Sequence, residues 1–364
     1  MNETMTMPAV EADCPRLVLH FDLNETILVT DPAGGDGLED CLNKALAKQV
    51  FVRRESDPSG PPIWENPESG PEINTSWVWP DGCVLFYDVY RAHAKTFTEP
   101  GNYGASLRGL YLEMLDALRI PEGETIDPRL SQDGKHYFVL PAFFHTLREL
   151  RKRSGHTRIV LRTFGHDLSD VCAAINAFAE TEPSPAGAPA SASGWHEMKC
   201  DESHMWDGRY DRQSGQFVLS QPSTGRACKS EEEAVAVIEG RHVPHAEGMS
   251  IMAISDDYEW WRGNGFAPEC GKPLWLTLTR GHAVHIFFDD NIHNKARNSI
   301  VAVRLRTSPE NPFCALPGAL VLEKQLHGKC MWRCPTVRPI LDHNWFLQKI
   351  EAALERCRTE DDAI

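Results

Sequence analysis

The run Leu17-Val18-Leu19-His20-Phe21-Asp22 constrains this chain more than any other stretch, because an apolar segment stops abruptly at a carboxylate. Leu17, Val18, Leu19 and Phe21 do not alternate with polar residues in the way a half-solvated strand would. Continuous apolar residues mark a strand covered on both faces, as in a parallel sheet. Open sheets of that kind bind ligands at the carboxyl ends of their strands. Asp22 falls at that end, and Asn24-Glu25-Thr26 turns the chain over it. An aspartate placed there can be a nucleophile, a metal ligand or both. It can also simply start a turn or cap a helix.

Three later segments extend the pattern. Arg158-Ile159-Val160-Leu161-Arg162-Thr163 is a second apolar strand, ending in a hydroxyl. Gly271-Lys272-Pro273 sets a lysine among turn residues. His285-Ile286-Phe287-Phe288-Asp289-Asp290-Asn291 is a third strand, ending in adjacent carboxylates. Asp, Thr, Lys and an acidic pair in this order resemble the haloacid dehalogenase-like hydrolases. The resemblance covers these four short motifs, not the long segments between them, and indicates no subfamily. Asp256 and Asp257, after the apolar run 249–254, are a rival acidic pair that fits the motif order less well.

The resemblance implies an α/β fold with a doubly wound, mostly parallel, Rossmann-like sheet and a cap insertion. It implies Mg²⁺ as cofactor, with Asp22, the backbone carbonyl of Asn24, and Asp289 or Asp290 as protein ligands. Asp22 would be the nucleophile toward a small phosphorylated compound. Thr163 would hydrogen-bond the transferred phosphoryl group, and Lys272 would neutralise charge on it and on Asp22.

Asn24 departs from the family pattern. The family's phosphatases usually carry a second Asp two residues after the nucleophile, which protonates the leaving group and then activates water. An amide cannot exchange a proton in that way, and loss of acid–base help costs about 10²–10⁴-fold. Three readings stay open: a slow phosphatase acting on good leaving groups, an enzyme using another base, and a binding protein that kept the fold. His20, His166 and His293 are candidate bases, with His166 best placed, three residues after Thr163. Asp-x-Asn-Glu-Thr also resembles some dehalogenases, whose attack on carbon needs neither the second Asp nor a metal.

Spacing locates the insertions. Thr163 lies 141 residues after Asp22, Lys272 lies 109 after Thr163, and Asp289 only 17 after Lys272. One strand–helix–strand crossover needs roughly 30 residues, so both long gaps contain extra material. The core is therefore expected in 15–30 and 136–364, with a cap-like insertion over 31–135 and an accessory insertion over about 181–248. The second insertion contains a hairpin, Arg209 to Leu219, that could act as a flap. Apolar spacing predicts helices over about 37–50, 106–117, 141–153, 168–179, 230–239 and 344–357, and a strand over 300–305. Residues 55–82 are rich in Pro and Gly and read as a long loop, with Trp64, Trp77 and Trp79 available to pin it. Residues 1–14 read as a disordered leader, and 181–194 as a linker.

The net charge of −15 argues against a nucleic-acid surface, which would need a basic stripe. No stretch approaches a membrane span of about 18 apolar residues. The 11 cysteines show no secretory context, so a reducing, cytoplasmic setting with mostly free thiols is expected. Cys330, Cys334 and His327 lack zinc-site spacing to further ligands.

Overall fold

A computed structural model describes residues 16–29, 35–183, 195–241, 248–279, 282–295 and 297–359, without the side chains of 196, 358 and 359. The expected leader and most of the expected linker lie outside these residues. The strands are β1 (Leu17–Asp22), β2 (Phe51–Arg53), β3 (Cys83–Leu85), β4 (His156–Thr163), β5 (Met205–Tyr210), β6 (Phe217–Gln221), β7 (Arg226–Ala227), β8 (Gly248–Ser255), β9 (Lys272–Thr277), β10 (Val284–Asp289), β11 (Val301–Arg306), β12 (Cys314–Ala315) and β13 (Met331–Arg333).

Eight of them form the central sheet, in the order β13-β10-β1-β4-β8-β5-β6-β7. It is parallel from β13 to β5 and antiparallel only at β6 and β7. The fold is thus α/β with a mostly parallel central sheet. All six residues of β1 are buried, His20 included, which explains why its apolar residues do not alternate with polar ones. From β1 the chain steps outward through β4 and β8, then returns to place β10 on the other side of β1. The order therefore reverses between β1 and β10, and a ligand crevice is expected at their carboxyl ends.

The two faces are covered differently. Leu19, Phe21, Ile159, Leu161, Ile251 and Phe288 pack against helices Pro141–Arg151, Leu168–Thr181 and Trp345–Thr359. The opposite face, with Val18, Val160, Met252 and Phe287, meets helix Glu231–Ile238 and the small sheet β12-β11-β9. Helices thus lie on both faces, and a second, three-stranded sheet shares one of them. β9 is a strand where the sequence suggests a turn. Pro273 reads as a turn residue, yet β9 is the edge strand of its sheet, where proline is tolerated.

The helices Leu38–Ala47, Arg108–Ala117, Pro141–Arg151, Leu168–Thr181, Glu231–Ile238 and Trp345–Thr359 fall where apolar spacing put them. The first insertion builds its own core from Leu42, Leu46, Phe86, Tyr90, Phe97, Tyr111 and Met114. Its tryptophans pin the loop. Trp77 stacks on His327 at 4.7 Å, Trp79 lies 4.4 Å from His293, and Trp64 stacks on Phe86 at 5.7 Å. The second insertion is not a detached flap. Its hairpin continues the central sheet, because β5 pairs in parallel with β8.

Candidate active site and metal centre

Register brings the acidic residues together. Phe21 pairs with Phe288, so Asp22 and Asp289 end neighbouring strands, and Asp290 follows directly. Asp22, Asp289 and Asp290 each bring an oxygen within 4.8 Å of the others. Among the described residues this is the one group of three metal-ligating side chains so placed.

Lys272 enters from β9 in the other sheet. Its ammonium contacts Asp22 Oδ1 and lies 2.9 Å from Asp289 Oδ2. The side chain is 1% exposed, so this is no solvated loop charge. Thr26 ties the acidic groups together. Its hydroxyl donates to Asp22 Oδ2 at 3.2 Å and accepts from the Asp290 N–H at 3.2 Å. Asn291 N–H donates to Asp289 Oδ1 at 2.9 Å. The loop carrying Thr26 is closed by the Leu23 carbonyl, which accepts from the N–H groups of Thr26, Ile27 and Leu28. Within it Glu25 takes a φ of 61°, a conformation that disfavours residues other than glycine. Strain of this kind persists only where the surroundings enforce it. Here the enforcing contacts are Lys48, 2.6 Å from Glu25 Oε1, and Thr336, whose hydroxyl donates to the Glu25 carbonyl.

The charges do not balance. Asp22, Asp289, Asp290 and Glu25 face two ammonium groups, Lys272 and Lys48, and the Arg333 guanidinium near Asp290. Burial raises Asp22 to about 7, and Asp289 adds to the rise while Lys272 opposes it. Burial also pushes Asp290 well above the carboxylate range, helped by Glu25. Lys272 is held charged: burial works against its charge, but Asp22, Asp289 and Asp256 outweigh it. Three carboxylates this close offer hard oxygen donors that could hold a metal ion.

The other expected residues are placed as follows. Thr163 is buried one position beyond Arg162, the register partner of Asp22. Its hydroxyl accepts from Gly165 N–H at 2.8 Å, which leaves its own proton to donate. The Asn24 side-chain oxygen is buried without a hydrogen-bond partner. The rival pair is used elsewhere. Asp256 grips Arg162 through two bonds of 2.8 and 2.5 Å, and Asp257 caps helix Tyr258–Gly263.

None of the three histidines is hydrogen-bonded to Asp22. His166 is exposed. His293 is packed against Trp79. His20 belongs to a buried chain: Arg162 donates to His20 Nδ1 at 3.1 Å, His20 Nε2 lies 3.1 Å from His285 Nδ1, and His285 Nε2 lies 3.2 Å from Glu239 Oε1. Because Arg162 can only donate, the chain assigns both histidines as Nε2–H tautomers. Burial and Arg162 lower the His20 pKa well below the usual value, so it is occupied as well as neutral.

Cys330 and Cys334 donate to the Leu326 and Thr26 carbonyls, in keeping with buried thiols. Cys172 and Cys200 form a disulfide, and the eight other cysteines of the described residues are free thiols. No described helix is long and apolar enough to cross a membrane. The sequence matches no family model, and no match was found among curated proteins or solved structures.

Arg162, Thr26 and Tyr210 carry contacts that sequence reasoning assigned to no role. An arginine inside an otherwise apolar strand was the available signal for the first of them.

Proposed function

We propose that this protein is a Mg²⁺-dependent hydrolase of the haloacid dehalogenase-like type, acting on a small phosphorylated compound through Asp22. The observation that carries the reading is the convergence of Asp22, Asp289, Asp290 and Lys272 at the point of strand reversal. Asp22, Asp289 and Asp290 would hold the ion, with the Asn24 carbonyl as the further ligand the motif implies. When bound, Mg²⁺ supplies positive charge that offsets the repulsion between a carboxylate and an anionic phosphoryl group.

In this reading a carboxylate oxygen of Asp22 attacks phosphorus, the bond to the leaving oxygen breaks, and water later cleaves the aspartyl-phosphate. Thr26 orients the carboxylate through its bond to Oδ2. Lys272 contributes fixed positive charge beside the attacking group, and Thr163 would donate its proton to a phosphoryl oxygen. Asn24 has no proton to return to the leaving group, so substrates with acidic leaving groups suit this site. The inserted segment 35–135 would act as the cap that selects them.

A second reading has its own observation. The unpartnered Asn24 oxygen, where an acid would be needed, favours a binding protein that retained the site. Turnover of p-nitrophenyl phosphate and a panel of phosphorylated metabolites with Mg²⁺ separates the two. The hydrolase reading expects activity that vanishes in Asp22→Asn. Absence of turnover on every substrate, or turnover indifferent to Asp22→Asn, overturns it.

A further inference from the structure

We propose that Tyr210 and Arg162 are positioning residues for Lys272, and that the second insertion is built to supply Tyr210. The inference rests on Lys272 being the cation of the Asp22 site. Buried donors hold the backbone on both sides of this lysine. The Tyr210 hydroxyl donates to the Gly271 carbonyl at 2.8 Å, and Arg162 Nη1 donates to the Pro273 carbonyl at 3.1 Å. Lys272 N–H itself donates to the Ile300 carbonyl at 2.7 Å. Three consecutive residues are thus fixed from β5, β4 and the segment before β11. Gly271 admits this approach because a Cβ there would lie 1.9 Å from the Ile300 oxygen.

The two donors are themselves anchored. Arg162 makes four hydrogen bonds, two of them to Asp256. Tyr210 lies between Phe217 at 5.3 Å and Trp260 at 5.7 Å, and its N–H donates to Asp257 Oδ2 at 2.9 Å. The Asp256–Asp257 pair therefore anchors both clamps. A lysine ammonium is a point charge on a flexible stem. Aiming it at two carboxylates at once requires a fixed Cα, and a functional side chain needs such second-layer support. The hairpin, which continues the sheet far from the carboxylates in sequence, gains a reason in this way.

Tyr210→Phe removes only the hydroxyl and keeps the ring contacts. Tyr90→Phe is the control, since Tyr90 loses an equivalent 2.9 Å bond to the Asp57 carbonyl in the inserted segment. In protein labelled with ¹³C at lysine Cε, the Lys272 resonance is the one missing from Lys272→Met. If that variant does not fold, it is the one most displaced by Asp22→Asn. Tyr210→Phe is expected to move this resonance and Tyr90→Phe to leave it in place. On the hydrolase reading kcat falls roughly ten- to hundred-fold with KM little changed, and the loss disappears in a Lys272→Met background. An unmoved resonance, or a kcat loss that persists undiminished without Lys272, overturns the proposal. Should the wild type show no turnover, the hydrolase reading fails, while the resonance alone still decides this one.

Discussion

Lys272 Nζ lies 2.9 Å from Asp289 Oδ2, joining two residues that belong to different sheets. The contact also makes Lys272 a neighbour of any cation shared by Asp22 and Asp289. Carboxylates buried this close to one another favour taking up a proton or a cation.

On the proposed reading Mg²⁺ binds the folded cluster and not the unfolded chain, so it is expected to raise the thermal midpoint. At 100 times Kd the gain is about 2.7 kcal/mol. Asp289→Asn removes a ligand oxygen and should abolish the gain, and EDTA should reverse it. Scanning fluorimetry across a Mg²⁺ series reads this directly. An equal shift in wild type and Asp289→Asn would place the ion elsewhere.

Asn24→Asp tests the missing proton. If the protein is a hydrolase limited by its leaving group, the new carboxyl should raise kcat by about 10²-fold or more. The gain should be largest on substrates with poor, alkoxide-like leaving groups. A wild type already fast on such substrates would mean that another group supplies the proton.

The acidic pairs can be told apart by what their loss damages. Arg162 is fully buried and its charge is met by Asp256. Asp256→Asn leaves that charge uncompensated and should cost about 3–5 kcal/mol in urea unfolding. Arg162→Met combined with Asp256→Leu should recover much of the loss, since replacing both partners removes the uncompensated charge. Asp289→Asn should cost far less stability and act on metal binding instead.

The parts legible in sequence were those where one residue type answers one environment. β1, β4, β8 and β10 are largely buried on both faces, so each carries apolar residues that do not alternate with polar ones, such as Leu17–Leu19, Ile159–Leu161, Ile251–Ile254 and Ile286–Phe288. The carboxylates at their ends stood out against that background. The rest depended on register and long-range packing. Lys272 was legible as a site residue but reads as lying in a turn, because Pro273 breaks a strand pattern everywhere except at an edge. Thr26 bridges Asp22 and Asp290 only because β1 and β10 end side by side. Tyr210 reads as one aromatic of a hairpin, and nothing local tells that it reaches Gly271. The order of helices and strands along the chain does not reveal that β9 and β11 form a layer of their own.

Acid sensitivity gives the last prediction. Burial, with Arg333 and Lys295 nearby, lowers His293 to about 4. Its Nδ1 accepts from the Lys295 N–H at 3.2 Å, which needs the neutral ring. The unfolded chain takes up this proton near the usual value of about 6.5, and the folded protein does so only near 4. Between these values the unfolded state binds more protons, so stability falls as pH drops through that window. Asp22 acts in the opposite sense. Raised to about 7, it binds its proton more tightly when folded, so its contribution grows as pH falls from 7 toward 4. The two effects offset each other in wild type and are separated by substitution. His293→Asn keeps an acceptor and cannot be protonated near pH 6. Between pH 7.5 and 5.5 the wild type should lose about 1 kcal/mol relative to His293→Asn. Asp22→Asn should lose stability more steeply than wild type over the same range in metal-free buffer. Urea unfolding of the three proteins at both pH values checks the signs, and parallel curves for wild type and His293→Asn would rule out a neutral buried His293.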